Sequence, residues 1–189
     1  MTIDDALAVA GQIDQEQIAA GVRLILAGLG ENVDRDGLKD TPERVARFFA
    51  EWGQGYRPHA LTEPLERQFD VNYTDVVWVR DIAFASLCEH HLLPFRGVAH
   101  IGYQPQESRV TGLSKLARVV NAAAGRLQVQ ERMTQQIADA IQETLRPLGV
   151  FVKLEAEHLC MTIRGVQKPG TVTITSAARG SLKSLSTAE

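Results

Sequence analysis

The chain has 189 residues, of which 44% are hydrophobic and 23% are charged, a profile typical of a soluble globular protein with one sizeable domain. Its net charge of −3 gives no general reason to expect nucleic-acid binding, so any anion site must come from local clusters of Lys and Arg. No apolar stretch approaches the about 20 residues of a membrane span, and the N-terminus lacks the basic segment of a secretory signal.

Two amphipathic helices are predicted in an N-terminal helical section, residues 1–63. The first is indicated by apolar residues at helical spacing, namely Ile18, Val22, Ile25, Leu26 and Leu29. The second is the segment DTPERVARFFAEW, for which we expect Thr41 as the N-cap and Pro42 as the first helical position.

After Pro64 the pattern changes to that of an α+β domain, residues 64–180, followed by a short tail, 181–189. Strands are predicted for DVVWVRDIAFAS and FRGVAHIGYQP, then helices for GLSKLARVVNAAAG and ERMTQQIADAIQETLRP, then strands for GVFVKLEAEHLCMTIRG and GTVTITSAARG. This order indicates an antiparallel four-stranded sheet backed by two helices. Such a sheet leaves two edges and one face uncovered, which favours a homo-oligomer.

The two cysteines are too few for a disulfide framework, so we predict a cytoplasmic protein with reduced thiols. In SLCEHHLLPF, Cys88 and His91 are three residues apart, a spacing that lets a tight turn aim both at one ion. In EAEHLCM, His158 and Cys160 are two apart on a predicted strand, where alternate side chains share a face. Two thiols and imidazoles suit zinc, whereas a buried Cys beside a hydrogen-bonded His is the alternative without metal.

Two kinds of zinc site remain open at this point. If only Cys88, His91 and Cys160 bind, the fourth position stays free for water, and His90 and His158 are spare imidazoles suited to proton transfer. A closed structural site with two thiols and two imidazoles, using one of those histidines, is the alternative.

A second candidate site lies at the start of a predicted helix. Gly112 precedes the helix, Ser114 and Lys115 lie in its first turn, and Arg118 follows one turn later, an arrangement that suits phosphate. Further basic residues are possible contributors, namely Arg44, Arg164 and Lys168. An ordinary solvated basic face is the alternative.

Glu131 begins the next predicted helix, just after Gln130. Its carboxylate could accept from two adjacent donors such as those of guanine. Helix N-terminal charge stabilisation explains it equally well from the sequence alone.

Four segments together resemble GTP cyclohydrolase I: SLCEHHLLPFRGVAHIGYQP, VTGLSKLARVVN, LQVQERMTQQIADAI and EAEHLCMTIRGVQKPG. The similarity begins at GLKDTPERVARF and extends to about Arg179. It implies the tunnelling fold, in which sheets of several subunits close into a barrel, and a decamer of two stacked pentamers with active sites between subunits. The implied reaction converts GTP and water to 7,8-dihydroneopterin triphosphate and formate.

The resemblance also implies roles for individual residues. Zinc would be held by Cys88, His91 and Cys160, and would activate water for attack on the guanine carbon between the two imidazole nitrogens. Proton transfers would fall to His158 at the neighbouring ring nitrogen, to His90 near the ribose ring oxygen, and to Ser114 in the later ribose rearrangement. Glu131 would hold the guanine with backbone groups around Gln130. The triphosphate contacts would be Lys115, Arg118, Arg164 and Arg44, some from neighbouring subunits.

The sequence departs from the family at two places. Gly125 and Arg126 stand where two adjacent arginines are usual, and Ser181 stands where an aromatic residue is common. Three hypotheses other than the cyclohydrolase therefore remain open. They are a relative with altered chemistry such as a nitrile reductase or a folate-pathway aldolase, a specialised copy for a secondary pathway, and a non-catalytic zinc-stabilised ring. The first lacks the paired Cys and His sets, and the last has no need of two spare imidazoles.

Overall fold

The computed structural model describes residues 13–184, so the start of the predicted N-terminal section and the end of the predicted tail lie outside the described part. The helices are α1 (Gln15–Gly28), α2 (Thr41–Trp52), α3 (Leu113–Ala124), α4 (Gln130–Leu145) and α5 (Leu159–Thr162), with 3-10 turns at Gly53–Tyr56 and Glu63–Leu65. The strands are β1 (Gln68–Asp70), β2 (Val77–Cys88), β3 (Pro94–Gln104), β4 (Arg109–Thr111), β5 (Leu127–Gln128), β6 (Gly149–His158) and β7 (Val172–Gly180).

The main sheet has five strands in the order β5-β2-β3-β6-β7, and β1 pairs separately with β4. Strands β2, β3, β6 and β7 are antiparallel neighbours, whereas the two-residue β5 runs parallel to β2. Helices α3 and α4 follow β3 and precede β6 in the chain. The predicted mixed α+β class is therefore confirmed.

The core lies between one face of the sheet and the two helices α3 and α4. Alternate residues of β6 are buried at 2% exposure or less, namely Val150, Val152, Leu154 and Ala156. They belong to one core cluster with apolar residues of α4, among them Met133, Ile137 and Ile141. Each fully buried aliphatic side chain contributes about 1.5–3 kcal/mol, so this layer holds α4 against the sheet and thereby places its first turn. Among residues 13–184, no helix has the length and apolar character needed to cross a bilayer.

Two local predictions are wrong. Helix α2 is preceded by Asp40 as its N-cap rather than capped by Thr41, and the Asp40 carboxylate bonds Arg44 at 3.2 Å instead of a helix N–H. Strand β6 ends at His158, so Cys160 lies in the helical turn α5 and not on the strand. The last pair between β6 and β3 is His158 with Phe95, and the last between β6 and β7 is Glu157 with Val172, so β6 has no strand partner beyond His158.

Gly125, which departs from the family pattern, ends α3 at a close backbone contact with the end of α2. Its carbonyl accepts from Gly55 N at 3.0 Å. A Cβ at Gly125 would lie 2.7 Å from the Trp52 carbonyl oxygen and 3.1 Å from that of Asn121. A side chain at this position therefore requires backbone movement, so here the absence of a second arginine is a packing requirement.

We expect Gly125→Ala to destabilise the protein by about 1–3 kcal/mol, because backbone atoms cannot give way as a flexible side chain does. Gly21→Ala, in α1 with no atom within 4 Å of the added Cβ, is the matched control and should stabilise by about 0.5–1 kcal/mol. Thermal and denaturant unfolding at equal protein concentration measure both changes. A Gly125→Ala protein as stable as wild type would show that the backbone around Gly125 accommodates a Cβ without cost.

Candidate active site

The three predicted metal ligands come together at one end of the sheet. Cys88 ends β2, His91 lies in the turn that follows, and Cys160 lies in α5. One ligand atom from each lies within 4.8 Å of the others. The turn is closed by hydrogen bonds to the Cys88 carbonyl oxygen from His91 N at 3.3 Å and from Leu92 N at 2.8 Å. The ligand spacing therefore follows from the tight β2–β3 connection.

The chemistry of this cluster fits a divalent metal. Burial, and after it the adjacent Cys88 thiol, raises the pKa of the Cys160 thiol, so two neighbouring thiolates need a cation beside them. Two sulfurs and one imidazole form a set that suits Zn²⁺. Among the described residues 13–184, Cys88, His91 and Cys160 are the three side chains whose ligand atoms lie this close together.

His90 and His158 occupy different surroundings. His90 is exposed in the turn, with its Nδ1 3.9 Å from Cys88 Sγ. His158 is partly buried at the end of β6, where its ring stacks on Phe95 with 4.6 Å between centroids and 4° between planes. Its Nε2 lies 2.8 Å from Gln130 Oε1. Burial lowers the pKa of His158, and the nearby Glu131 carboxylate opposes this to a smaller extent.

Arg164 contacts a candidate ligand directly. Its NH1 lies 2.7 Å from His91 Nε2. A guanidinium only donates, so this contact requires Nε2 as an acceptor with the proton on Nδ1. A metal on Nε2 takes the same lone pair, and a metal on Nδ1 leaves a proton on Nε2. Metal binding by His91 and this Arg164 contact therefore exclude each other.

Glu89 and Arg132 fasten the ligand-bearing turn to α4. The two side chains form an ion pair, and the Arg132 guanidinium also donates to Gln128 Oε1 at 3.2 Å and to the Leu127 carbonyl at 3.3 Å. The Arg132 hydrogen bond lowers the pKa of Glu89. No sequence pattern indicates this pair, because its members are 43 positions apart and neither lies in a distinctive motif.

The predicted anion site lies away from the thiol cluster. Ser114, Lys115 and Arg118 lie in the first two turns of α3, and Lys115 and Arg118 line a cavity of about 420 Å³. The other end of α3 is tied to β2 by a hydrogen bond of 2.8 Å from Ser86 Oγ to the Ala124 carbonyl oxygen. A helix of 12 residues is about 18 Å long, so the two groups lie at opposite ends of it.

The remaining predicted contacts are distributed over two elements. Arg44 is exposed on α2 beside Asp40, and Glu131 is exposed in the first turn of α4, near His158. Gln130 precedes Glu131, but its side chain is 1% exposed and faces the sheet. The thiol cluster, His158 and Glu131 thus lie at one end of the sheet, and the basic residues of α2 and α3 lie elsewhere.

Comparisons with known proteins agree on one family. A sequence model described as GTP cyclohydrolase I matches residues 18–189. The GTP cyclohydrolase 1 of Carboxydothermus hydrogenoformans is 57% identical over 89% of this chain and 87% of its own length. Those of Listeria monocytogenes EGD-e and Thermobifida fusca are 54% and 55% identical, over 91% and 95% of this chain and 90% and 86% of theirs.

A solved structure of an archaeosine synthase QueF-like protein in the apo form aligns with a TM-score of 0.45 and 14% identity. The alignment covers 56% of this chain and 93% of that one. It shows a similarity of limited extent, from which nothing about the site follows.

We expect Arg132→Met to weaken metal binding about 10-fold, because the turn carrying Cys88 and His91 loses its attachment to α4. Arg109→Met, which breaks an exposed ion pair with Glu107 of 3.1 Å, is the matched control and should leave metal affinity unchanged. Competition with a chromophoric chelator measures both. Equal metal affinity in wild type and Arg132→Met would show that the ion pair does not support the cluster.

Proposed function

The chain belongs to the GTP cyclohydrolase I family, and from that premise we propose which of its residues carry out the family's reaction. The protein converts GTP and water to 7,8-dihydroneopterin triphosphate and formate, the entry to pterin and folate synthesis. The observation that carries this conclusion is the family match over residues 18–189, which includes every residue assigned below.

Zinc is proposed as the metal, held by Cys88, His91 and Cys160. The support is the donor set and the 4.8 Å limit on the distances among their ligand atoms. When bound, zinc acts as a Lewis acid and lowers the pKa of water toward neutrality. For His91 to serve as a ligand, Arg164 must leave it, which frees the guanidinium for the substrate's phosphates.

His158 is proposed as the general acid that protonates the guanine ring nitrogen beside the carbon that water attacks. Its support is position: it lies at the cluster's end of β6, with its ring plane held by Phe95 and one nitrogen held by Gln130. A buried, oriented imidazole is suited to transfer a proton in a fixed direction. The exposed His90 is proposed to assist at the ribose ring oxygen, and Ser114 in the rearrangement that follows formate loss.

Glu131 is proposed to hold guanine by accepting from its ring N–H and amino group. The carboxylate lies at the start of α4, close enough to His158 to influence its pKa, so base reading and proton donation share one end of the sheet. The backbone at Gln130 is proposed to assist. The triphosphate is proposed to contact Lys115, Arg118, Arg164 and Arg44.

A homo-oligomer with shared active sites is proposed, as a decamer of two pentamers in the tunnelling fold. Within one protomer, Lys115 lies about 13.5 Å along α3 from Ala124, the residue that is bonded to β2 two positions before Cys88. This separation favours a site in which a second copy supplies the basic end of α3. Strand β7 also forms an edge of the sheet and exposes Val172 and Ile174. A cytoplasmic location is proposed, which the two free cysteines support.

Purified protein incubated with GTP should release formate and give pterin fluorescence after oxidation, and a chelator should abolish both until zinc is restored. Formate without pterin would instead indicate a specialised copy that stops at an opened intermediate. Bound zinc with neither product would indicate a non-catalytic ring and contradict the proposal.

His158→Ala provides the internal control for this assay. It should lower turnover by about 10²–10⁴-fold, the usual contribution of a general acid, while zinc content stays near that of wild type. Cys88→Ala should lose the zinc together with activity. Loss of zinc from His158→Ala would mean that His158 is a ligand.

Mixing two inactive variants tests the shared site. Lys115→Ala and His158→Ala should each be inactive alone, and subunits exchanged between them should recover part of the activity, because some sites then combine two intact contributions. Mixtures of His158→Ala with Cys88→Ala should recover none, since both residues belong to the same protomer's half. Absence of recovery in the first mixture, with exchange verified, would show that each protomer holds a complete site.

A further inference from the structure

The Gln130 side chain is buried at the start of α4 and oriented by the backbone around it. Its Nε2 lies 3.1 Å from the Leu154 carbonyl oxygen and 3.0 Å from that of Thr173. Carbonyl oxygens only accept hydrogen bonds, so the amide nitrogen must face them. The amide oxygen then faces His158 Nε2 at 2.8 Å and can only accept from it.

Two hydroxyls, that of the buried Thr134 and that of the partly buried Thr175, extend this network in the same direction. Thr134 Oγ1 lies 2.7 Å from the Gln130 carbonyl oxygen and donates to it, which uses its single hydrogen. Thr175 Oγ1, 2.6 Å from Thr134 Oγ1, must therefore be the donor in that contact. Its lone pairs face Gln130 Nε2 at 3.1 Å. Every side-chain hydrogen-bond donor of Gln130, Thr134 and Thr175 thus points away from His158.

We propose that Gln130, supported by Thr175 and Thr134, is a positioning residue that keeps a proton on His158 Nε2 and leaves Nδ1 as the nitrogen that works on substrate. None of the three touches the reacting atoms through its side chain in this role. The proposal deepens the acid role assigned to His158 and rests on it.

The direction of the donors has a further consequence for the proton's route. The Nδ1–H bond of the imidazolium breaks as the proton moves to the guanine ring nitrogen, and the ring returns to the neutral form with hydrogen on Nε2. None of the side chains of Gln130, Thr134 and Thr175 can pass a proton to His158, because each of their hydrogens is already donated to an acceptor farther away. The proton that returns to Nδ1 therefore comes from outside this network.

Nitrogen NMR of the zinc-loaded assembly in the solid state tests the tautomer without any turnover. Protein labelled with ¹⁵N-histidine is measured at about pH 8, above the ordinary imidazole pKa, and His158→Gln assigns the signal. The expected spectrum has protonated Nε2 and bare Nδ1. Gln130→Met should give a mixture of tautomers, and Thr175→Val a smaller change. A bare Nε2 in wild type would overturn the proposal.

Steady-state kinetics separate positioning from substrate contact. Gln130→Met should lower kcat about 100-fold with KM for GTP changed less than about 3-fold, because His158 loses its orientation while the contacts to the guanine base remain. Thr175→Val, nearly isosteric and the readout if Gln130→Met fails to fold, should lower kcat about 5-fold. Ser176→Ala, on the opposite face of β7, is the control and should change neither constant. A raised KM with unchanged kcat in Gln130→Met would make Gln130 a base contact.

The two measurements fail independently. A single His158 tautomer with hydrogen on Nε2, in a protein without cyclohydrolase activity, would refute the proposed function but not the positioning role of Gln130. An active enzyme whose Gln130→Met variant retains the wild-type spectrum and kcat would refute only the positioning role of Gln130.

Discussion

The register of β3 against β2 and β6 determines where the site forms. Pro94 pairs with Leu87 on one side of β3, and Phe95 pairs with His158 on the other. The ends of β2 and β6 therefore meet at the same end of the sheet, which brings Cys88 next to the turn of α5. A slip of one residue would turn every side chain of β3 to the other face and separate these groups. The buried alternate residues of β6 make such a slip costly.

Local motifs predicted the site better than they predicted the elements that carry it. The spacing of Cys88 and His91 reflects one tight turn, so a short segment sufficed to group them. The alternation from Val150 to Ala156 predicts a strand that continues through Cys160, but β6 has no strand partner beyond His158 and ends there. The cluster forms all the same, because the first residues of α5 still lie beside the end of β6.

Features that depend on distant pairing could not be read from the sequence. The partner of Glu89 lies 43 positions away on α4, and the network around Gln130 joins α4 to β6 and β7. The family resemblance implies that backbone groups around Gln130 help to hold the guanine, and it carries no information about the Gln130 side chain, which faces the sheet. Neighbouring residues at the start of a helix point in different directions, so Glu131 stays exposed while Gln130 is buried. The described site therefore divides into a partly buried, oriented His158 and an exposed turn bearing His90 and His91.

X-ray absorption of the zinc-loaded protein tests the central claim most directly, because it counts the atoms around the metal. An open site formed by Cys88, His91 and Cys160 predicts two sulfurs at about 2.3 Å, one imidazole, and one light atom from solvent. The spectrum should be unchanged in His90→Ala and His158→Ala. The contrary result is two sulfurs and two imidazoles, with one imidazole lost in His90→Ala or in His158→Ala. It would show that a side chain fills the fourth coordination position, as in a closed structural site.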